Sequence, residues 1–391
     1  MKNIYLDHAA TTPVAKEVLE EMMPYFSEKY GNASSLHSFG QEAKKGLEAA
    51  REKVAKLINA DPEEIVFTSG GTESDNLALN GVGFQLLGSL RKEGKKPHII
   101  TTRIEHPAIL EACKHLEETG YFDVTYLKVD RQGSVDPKEV EKAIRKETIL
   151  VSVMHANNEI GTIEPIEEIA AVCRKRNVLF HTDAVQTLGK VPIDVKKMGI
   201  DLLSASSHKI YGPKGVGCLF VRRGVKLASQ QHGGGHERGL RSGTENVAGI
   251  VGFGKACETA GKEMAKESAR EKGLSDRLIK GVLAIPHTQL NGHPERRLPG
   301  NANFSFSFIE GESLLLRLDA RGIAGSTGSA CSTRKLAPSH VLTAIGMKIE
   351  ETHGSLRLTL GRQNTKEDID YAVKAIGEEV GALREMSPFK R

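Results

Sequence analysis

The sequence predicts an α/β protein, with a mostly parallel central sheet covered by helices on both faces and a second, smaller α/β unit. Three observations carry this. Between residues 65 and 221, short apolar runs alternate with amphipathic helical stretches, the pattern of parallel strands buried on both faces. Those runs end in polar or glycine-rich turns such as Ser69-Gly70-Gly71-Thr72 and Ser206-Ser207-His208-Lys209. After Asn246 a long charged amphipathic stretch takes over, and strand and helix patterns then resume.

Taken in order, residues 4–6 read as a short strand, 7–13 as a small-residue loop, 15–25 as a helix and 41–58 as a helix with Ala and Leu on one face. Strand, turn and helix then recur: strands at 65–68, 98–101, 124–129, 149–153 and 178–183, with helices reaching 87, 118, 145 and 176. Strands near 202–205 and at 216–221 follow, then a helix to about 283 whose charge run at 262–280 reads as a solvated face. Period-two alternation marks a strand at 303–308, followed by a helix at 313–321, a Gly/Ser/Ala-rich loop at 322–332, a strand at 356–360 and a helix at 366–384.

At 391 residues the chain has room for two domains, expected at 15–260 and at 1–14 plus 261–391. A net charge of +4, from 54 basic and 50 acidic residues spread along the chain, demands neither nucleic acid nor an anionic membrane as partner. The N-terminus has no signal-peptide core or membrane-spanning run, so the expected location is the cytoplasm. Five widely spaced cysteines without Cys-x-x-Cys suggest neither disulfides nor a zinc site. Four sit in apolar or helical patterns; Cys331 stands apart among small residues.

Ligands of parallel α/β sheets bind beyond the carboxyl ends of the strands, so polar residues there form one candidate site. Lys209 follows an apolar strand in a turn fixed by Gly212, Pro213 and Gly215, a held lysine that could form a Schiff base. Gly70-Gly71-Thr72 joins a strand to a helix start, which suits a phosphate. His106 precedes Pro107 at another strand end. Asp183 ends a further strand, where a carboxylate needs a cation or donors, and Asn158 supplies an amide. Each signal alone has a structural explanation; together they describe pyridoxal 5'-phosphate.

The ordered motifs extend from Tyr5-Leu6-Asp7 and Ala10-Thr11-Thr12-Pro13 through Thr68–Asn76, Glu105-His106, Asn157–Gly161, Asp183–Gln186, Ser206–Gly217 and Gly233–Gly239 with Arg241–Thr244. They end in Gly328–Ser332 and in Arg357 with Gly361-Arg362. With these the chain resembles the cysteine desulfurases of the NifS/IscS group, within the class V aminotransferase family of fold-type-I pyridoxal phosphate enzymes. The resemblance implies that Lys209 carries the cofactor as a Schiff base, Asp183 pairs with the pyridine nitrogen, His106 stacks on the ring, Gln186 reaches the phenolic oxygen and Asn158 supports the hydroxyl side. It assigns the phosphate to Gly71, Thr72, Ser206 and His208, with Thr244 arriving from a second subunit, hence a homodimer, and the substrate carboxylate to Arg357 and Asn158. Cys331 would take sulfur from L-cysteine as a persulfide, leaving L-alanine, and pass it to an acceptor protein such as an iron–sulfur scaffold; Lys209 would move the α-proton and His106 a thiol proton. Cys331 is also a candidate transient iron–sulfur ligand, although no second ligand is written nearby. Gly71, Pro107 and Ser207 stand where this family commonly has alanine, lysine and glycine, and none of these departures removes a functional group. A selenocysteine lyase, another lyase or transaminase of this fold, and a catalytically silent scaffold subunit are the competing readings.

Overall fold

The computed structural model describes residues 3–328 and 338–387. Strand β1 (Ile4–Tyr5) belongs to the smaller part of the molecule. The central sheet comprises β2 (Ile65–Thr68), β3 (His98–Thr102), β4 (Asp123–Leu127), β5 (Thr148–Ser152), β6 (Leu179–Asp183), β7 (Leu202–Ser206) and β8 (Gly217–Val221). Their spatial order is β2-β8-β7-β6-β5-β3-β4. Only β8 runs antiparallel, to both of its neighbours; the other pairs are parallel.

Successive side chains of each strand enter opposite cores. Phe67, Ile100, Val151, Phe180, Leu203 and Phe220 pack on one face, and Val66, Ile99, Leu150, Leu202 and Leu219 on the other. Burial on both faces is why these strands are apolar without alternation, and only the edge strand β4 is half-buried.

The smaller part contains β9 (Thr288–Leu290), β10 (Asn301–Phe306), β11 (Ile323–Ala324) and β12 (Ser355–Thr359). Strands β9, β10 and β12 form an antiparallel sheet, and β1 pairs in parallel with β11. The helix Val247–Leu283 spans 37 residues, about 55 Å at 1.5 Å per residue. Its first half places Ile250, Phe253 and Cys257 in the main core. Its second half places Leu278 and Val282 in a separate core with Phe304, Leu356 and Ile376. Residues 260 and 261 both lie inside this helix.

Two expectations change. The helix expected over 15–25 is two helices, Lys16–Met22 and Pro24–Ser27, because Pro24 has no N–H to continue the first and instead opens the second. The strand expected at 303–308 is β10, Asn301–Phe306, and it is buried at every position. Phe304 and Phe306 enter the core, while the polar residues pack inward on other groups. Asn291 Nδ2 donates to Asn303 Oδ1 at 2.7 Å and to Ser305 Oγ at 2.8 Å, and Asn303 Nδ2 donates to the Glu159 carbonyl at 3.2 Å. The polar period therefore reports a second packed surface, toward the central sheet.

Candidate active site

The carboxyl ends of β6 and β7 and the N-terminal segment meet at Lys209. A single 3-10 turn, Ser207–Lys209, follows β7, and Gly212 is needed behind it because a Cβ there would sit 1.9 Å from Ser207 Oγ. Lys209 Nζ donates to the carbonyls of Ala9 at 2.5 Å and Ala10 at 2.8 Å. Burial, then the cations Lys190 and Arg357, pull its pKa down to about 8, against Asp183 and Asp7. This amine is neutral at far lower pH than a surface lysine.

Asp183 ends β6 at 6% exposure, and its Oδ1 accepts from Val185 N at 2.9 Å. Burial raises its pKa, while His106 and Lys209 favour its charged form. Gln186 Nε2 donates to the same Ala9 carbonyl at 3.0 Å, and its Oε1 is buried without a hydrogen-bond partner. His106 caps the helix Pro107–Glu118, with Nδ1 accepting from Ala108 N at 3.1 Å. The neutral ring therefore carries its proton on Nε2, and burial lowers its pKa.

The two asparagines after β5 divide the work. Asn157 is spent on its own loop, donating to the Ile104 carbonyl and accepting from the N–H groups of Glu159 and Ile160. Asn158 is half-buried, and its carbonyl accepts from Arg357 Nη1 at 3.0 Å. Arg357, 3% exposed, also pairs with Asp7 at 2.8 Å and keeps a buried Nε with no partner.

A cavity of about 420 Å³ opens where β2 enters the helix Gly71–Lys92. Gly70, Gly71, Thr72, Ser206, His208 and Lys214 line it. Gly70 at φ 154° holds a backbone conformation suited to glycine, and the helix presents free N–H groups there. His208 shares a hydrogen bond with Thr11 Oγ1 at 3.1 Å; burial and then Lys209 take its pKa down to about 4, so it is a neutral donor or acceptor near pH 7.

The structure thus gathers Lys209, Asp183, Gln186, His106, Asn158 and Arg357 with the cradle of Gly71, Thr72, Ser206 and His208. Thr244 is exposed and outside the cradle of its own chain, and Cys331 lies outside the described residues. Both flanks of the Cys331 segment rest on Glu159: Ser339 Oγ donates to its Oε2 at 2.6 Å, and a Cβ on Gly328 would stand 3.1 Å from the same oxygen. Sequence reasoning missed Asp7, Asp75, Glu159 and Lys214. Asp75 is fully buried, raised well above the usual carboxylate range by burial and then by Asp183. All four sit within the ordered motifs, and Lys214, five residues beyond Lys209 in the glycine turn, carried the plainest signal.

Fold and site together define an α/β enzyme built around a depressed-pKa lysine, a strand-end carboxylate and an anion cradle. The aminotransferase class-V family matches residues 4–372, and the chain belongs to that family. A cysteine desulfurase IscS of Dictyoglomus turgidum is 54% identical over 391 residues, covering 100% of this chain and 98% of the relative. Among solved structures, a NifS-like protein superposes with a TM-score of 0.90 at 42% identity, covering 98% of this chain and all of that one. A structure described as SspA in complex with cysteine gives 0.81 at 40% identity, covering 92% and 99%.

Proposed function

We propose that this protein is a cysteine desulfurase, a homodimer in the cytoplasm that uses pyridoxal 5'-phosphate to convert L-cysteine to L-alanine and keeps the sulfur as a persulfide on Cys331. The observation that carries the reading is Lys209: a half-buried amine with its pKa down to about 8, held by the Ala9 and Ala10 carbonyls with Asp183 among its charged neighbours. The full-length likeness to cysteine desulfurases supports it. No helix among the described residues is long and apolar enough to cross a membrane.

The residues present fit the cofactor. Gln186 keeps a buried amide atom without a partner, Asp183 offers a carboxylate to a pyridinium, and the cradle offers N–H groups and Lys214 to a phosphate. Bound at Lys209, the cofactor supplies an electron sink for the substrate Cα. Arg357 receives the substrate carboxylate, for which its free Nε is available. Lys209 in its neutral form takes the Cα proton and returns it, and His106 moves a proton through Nε2. The Cys331 thiolate attacks the substrate sulfur: a bond forms between the two sulfurs, the substrate Cβ–S bond breaks, and Cβ takes the proton that completes alanine's methyl group. The persulfide then passes to an acceptor protein, such as an iron–sulfur scaffold.

Incubating the cofactor-loaded protein with L-cysteine should give alanine and a persulfide in equal amounts in the first turnover. Cys331→Ala should abolish both, and Lys209→Ala should cut alanine formation by roughly a thousandfold or more. Alanine and sulfide made at the normal rate by Cys331→Ala would overturn the mechanism. Parallel incubations with selenocysteine and with an amino-acid/keto-acid pair separate the lyase and transaminase activities.

A further inference from the structure

A second cavity, of about 30 Å³ and separate from the cradle, opens on Lys209 itself. This is room for about two waters. Lys190, from the loop after β6, forms part of its wall, and His8 and Thr12 of the N-terminal segment form another part. One face of the helix Val247–Leu283 closes it with Glu263, Glu267 and Glu271, spaced four residues apart and passing from exposed to half-buried to buried. The loop carrying Lys190 is fastened to that helix: Ser268 Oγ donates to the Lys190 carbonyl at 2.6 Å.

Lys190 is thus a second cation on the cavity that Lys209 faces, and no described carboxylate closes an ion pair on its ammonium. Burial lowers the pKa of Lys190 itself, and Glu271, on the wall of the same cavity, is the group that opposes this and favours its charge. After burial, Lys190 is the largest influence lowering Lys209, ahead of Arg357, and its charge also lowers His8 and His208. Glu271 is pushed up to about 7 by burial, with Lys190 the first group drawing it back down. The other groups around Lys209 are Asp7 and Asp183, which favour its protonated form, and on the cavity wall the cation Arg362 and the neutral Tyr211, whose pKa burial raises.

We propose that Lys190, with Glu271 on the same cavity wall, is a positioning pair for Lys209: the Lys190 ammonium favours the unprotonated Lys209 nitrogen, and Glu271 favours the charge on Lys190. The proposal rests on Lys209 being the cofactor-bearing amine. Neither residue touches the cradle or the substrate arginine; both act through the charge they place behind Lys209.

The test is an absorbance titration of the cofactor-loaded full chain from pH 6 to 10, following the band that reports protonation of the Lys209–cofactor nitrogen. Lys190→Met should raise the midpoint by about one pH unit, Lys190→Arg should leave it near wild type, and Glu271→Gln, which leaves Lys190 less charged, should raise it part of the way toward the Lys190→Met value. A second measurement needs no cofactor: pulse acetylation of Lys209 in the full chain against pH, read by mass spectrometry, should show the same upward displacement for Lys190→Met. An unchanged midpoint for a folded Lys190→Met in both measurements overturns the proposal, as does a Lys190→Arg that shifts as far as Lys190→Met. If Lys190→Met does not fold, an unmoved midpoint in Glu271→Gln overturns it instead. A wild-type protein with no borohydride-bleachable band would sink the cofactor reading, while the acetylation measurement would still decide the pair.

Discussion

Glu105 is fully buried beside His106, and its carboxyl accepts from Thr102 Oγ1 at 2.7 Å and from Met154 N at 3.1 Å. Burial raises its pKa to about 8, so near neutral pH it holds a proton that an unfolded chain would release. A raised carboxyl adds stability that is complete below its unfolded pKa and lost as pH rises through the folded one. Relative to Glu105→Gln, the wild type should therefore lose at least about 2 kcal/mol of unfolding free energy between pH 5 and pH 8.5, measured by urea unfolding at both pH values. A difference independent of pH would refute it. Residues such as Lys209, Asp183 and His106 were legible in the sequence because each interrupts an apolar strand with a polar end. Asp7 and Glu159 were not, since their meaning arises from Arg357 and Ser339, 350 and 180 residues away.

At the scale of elements, the cradle depends on how closely β8 approaches the turn after β2. A Cβ on Gly217 would stand 2.5 Å from the Ala205 carbonyl and 2.8 Å from Gly70 Cα, contacts with backbone that cannot swing aside. Gly217→Ala should push β8 off the turn and weaken cofactor binding by about tenfold, or 1.4 kcal/mol, seen in fluorescence titration of cofactor; unaltered affinity would show that the turn is not held this way. The strands and long helices were legible from periodicity, because burial on both faces of a parallel sheet leaves an unbroken apolar run. The two-residue strand β11 and the short helix His340–Ala344 were not, since so few residues carry no period. The period of β10 was legible too, and its polar side chains meet an asparagine partner, Asn291.

For the whole molecule, the helix Val247–Leu283 is the member shared by both cores. Its contact with the helix Ser38–Leu57 is close enough that a Cβ on Gly254 would lie 2.6 Å from Ala50 Cα. Gly254→Ala should cost about 1–3 kcal/mol, read as a lower thermal midpoint; an unchanged midpoint would mean the helices separate freely there. The N-terminal segment has a consequence in time. Tyr5 pairs with Ala324, Asp7 bridges to Thr359 and bonds Arg357, and Ala9 and Ala10 hold Lys209. During synthesis this segment thus waits for partners made some 350 positions later. At bacterial-to-eukaryotic synthesis speeds that wait is on the order of tens of seconds. A nascent chain has no finished pocket around Lys209 until Arg357 is made, and a truncation just short of residue 357 would leave the segment that holds Lys209 without its Asp7–Arg357 anchor.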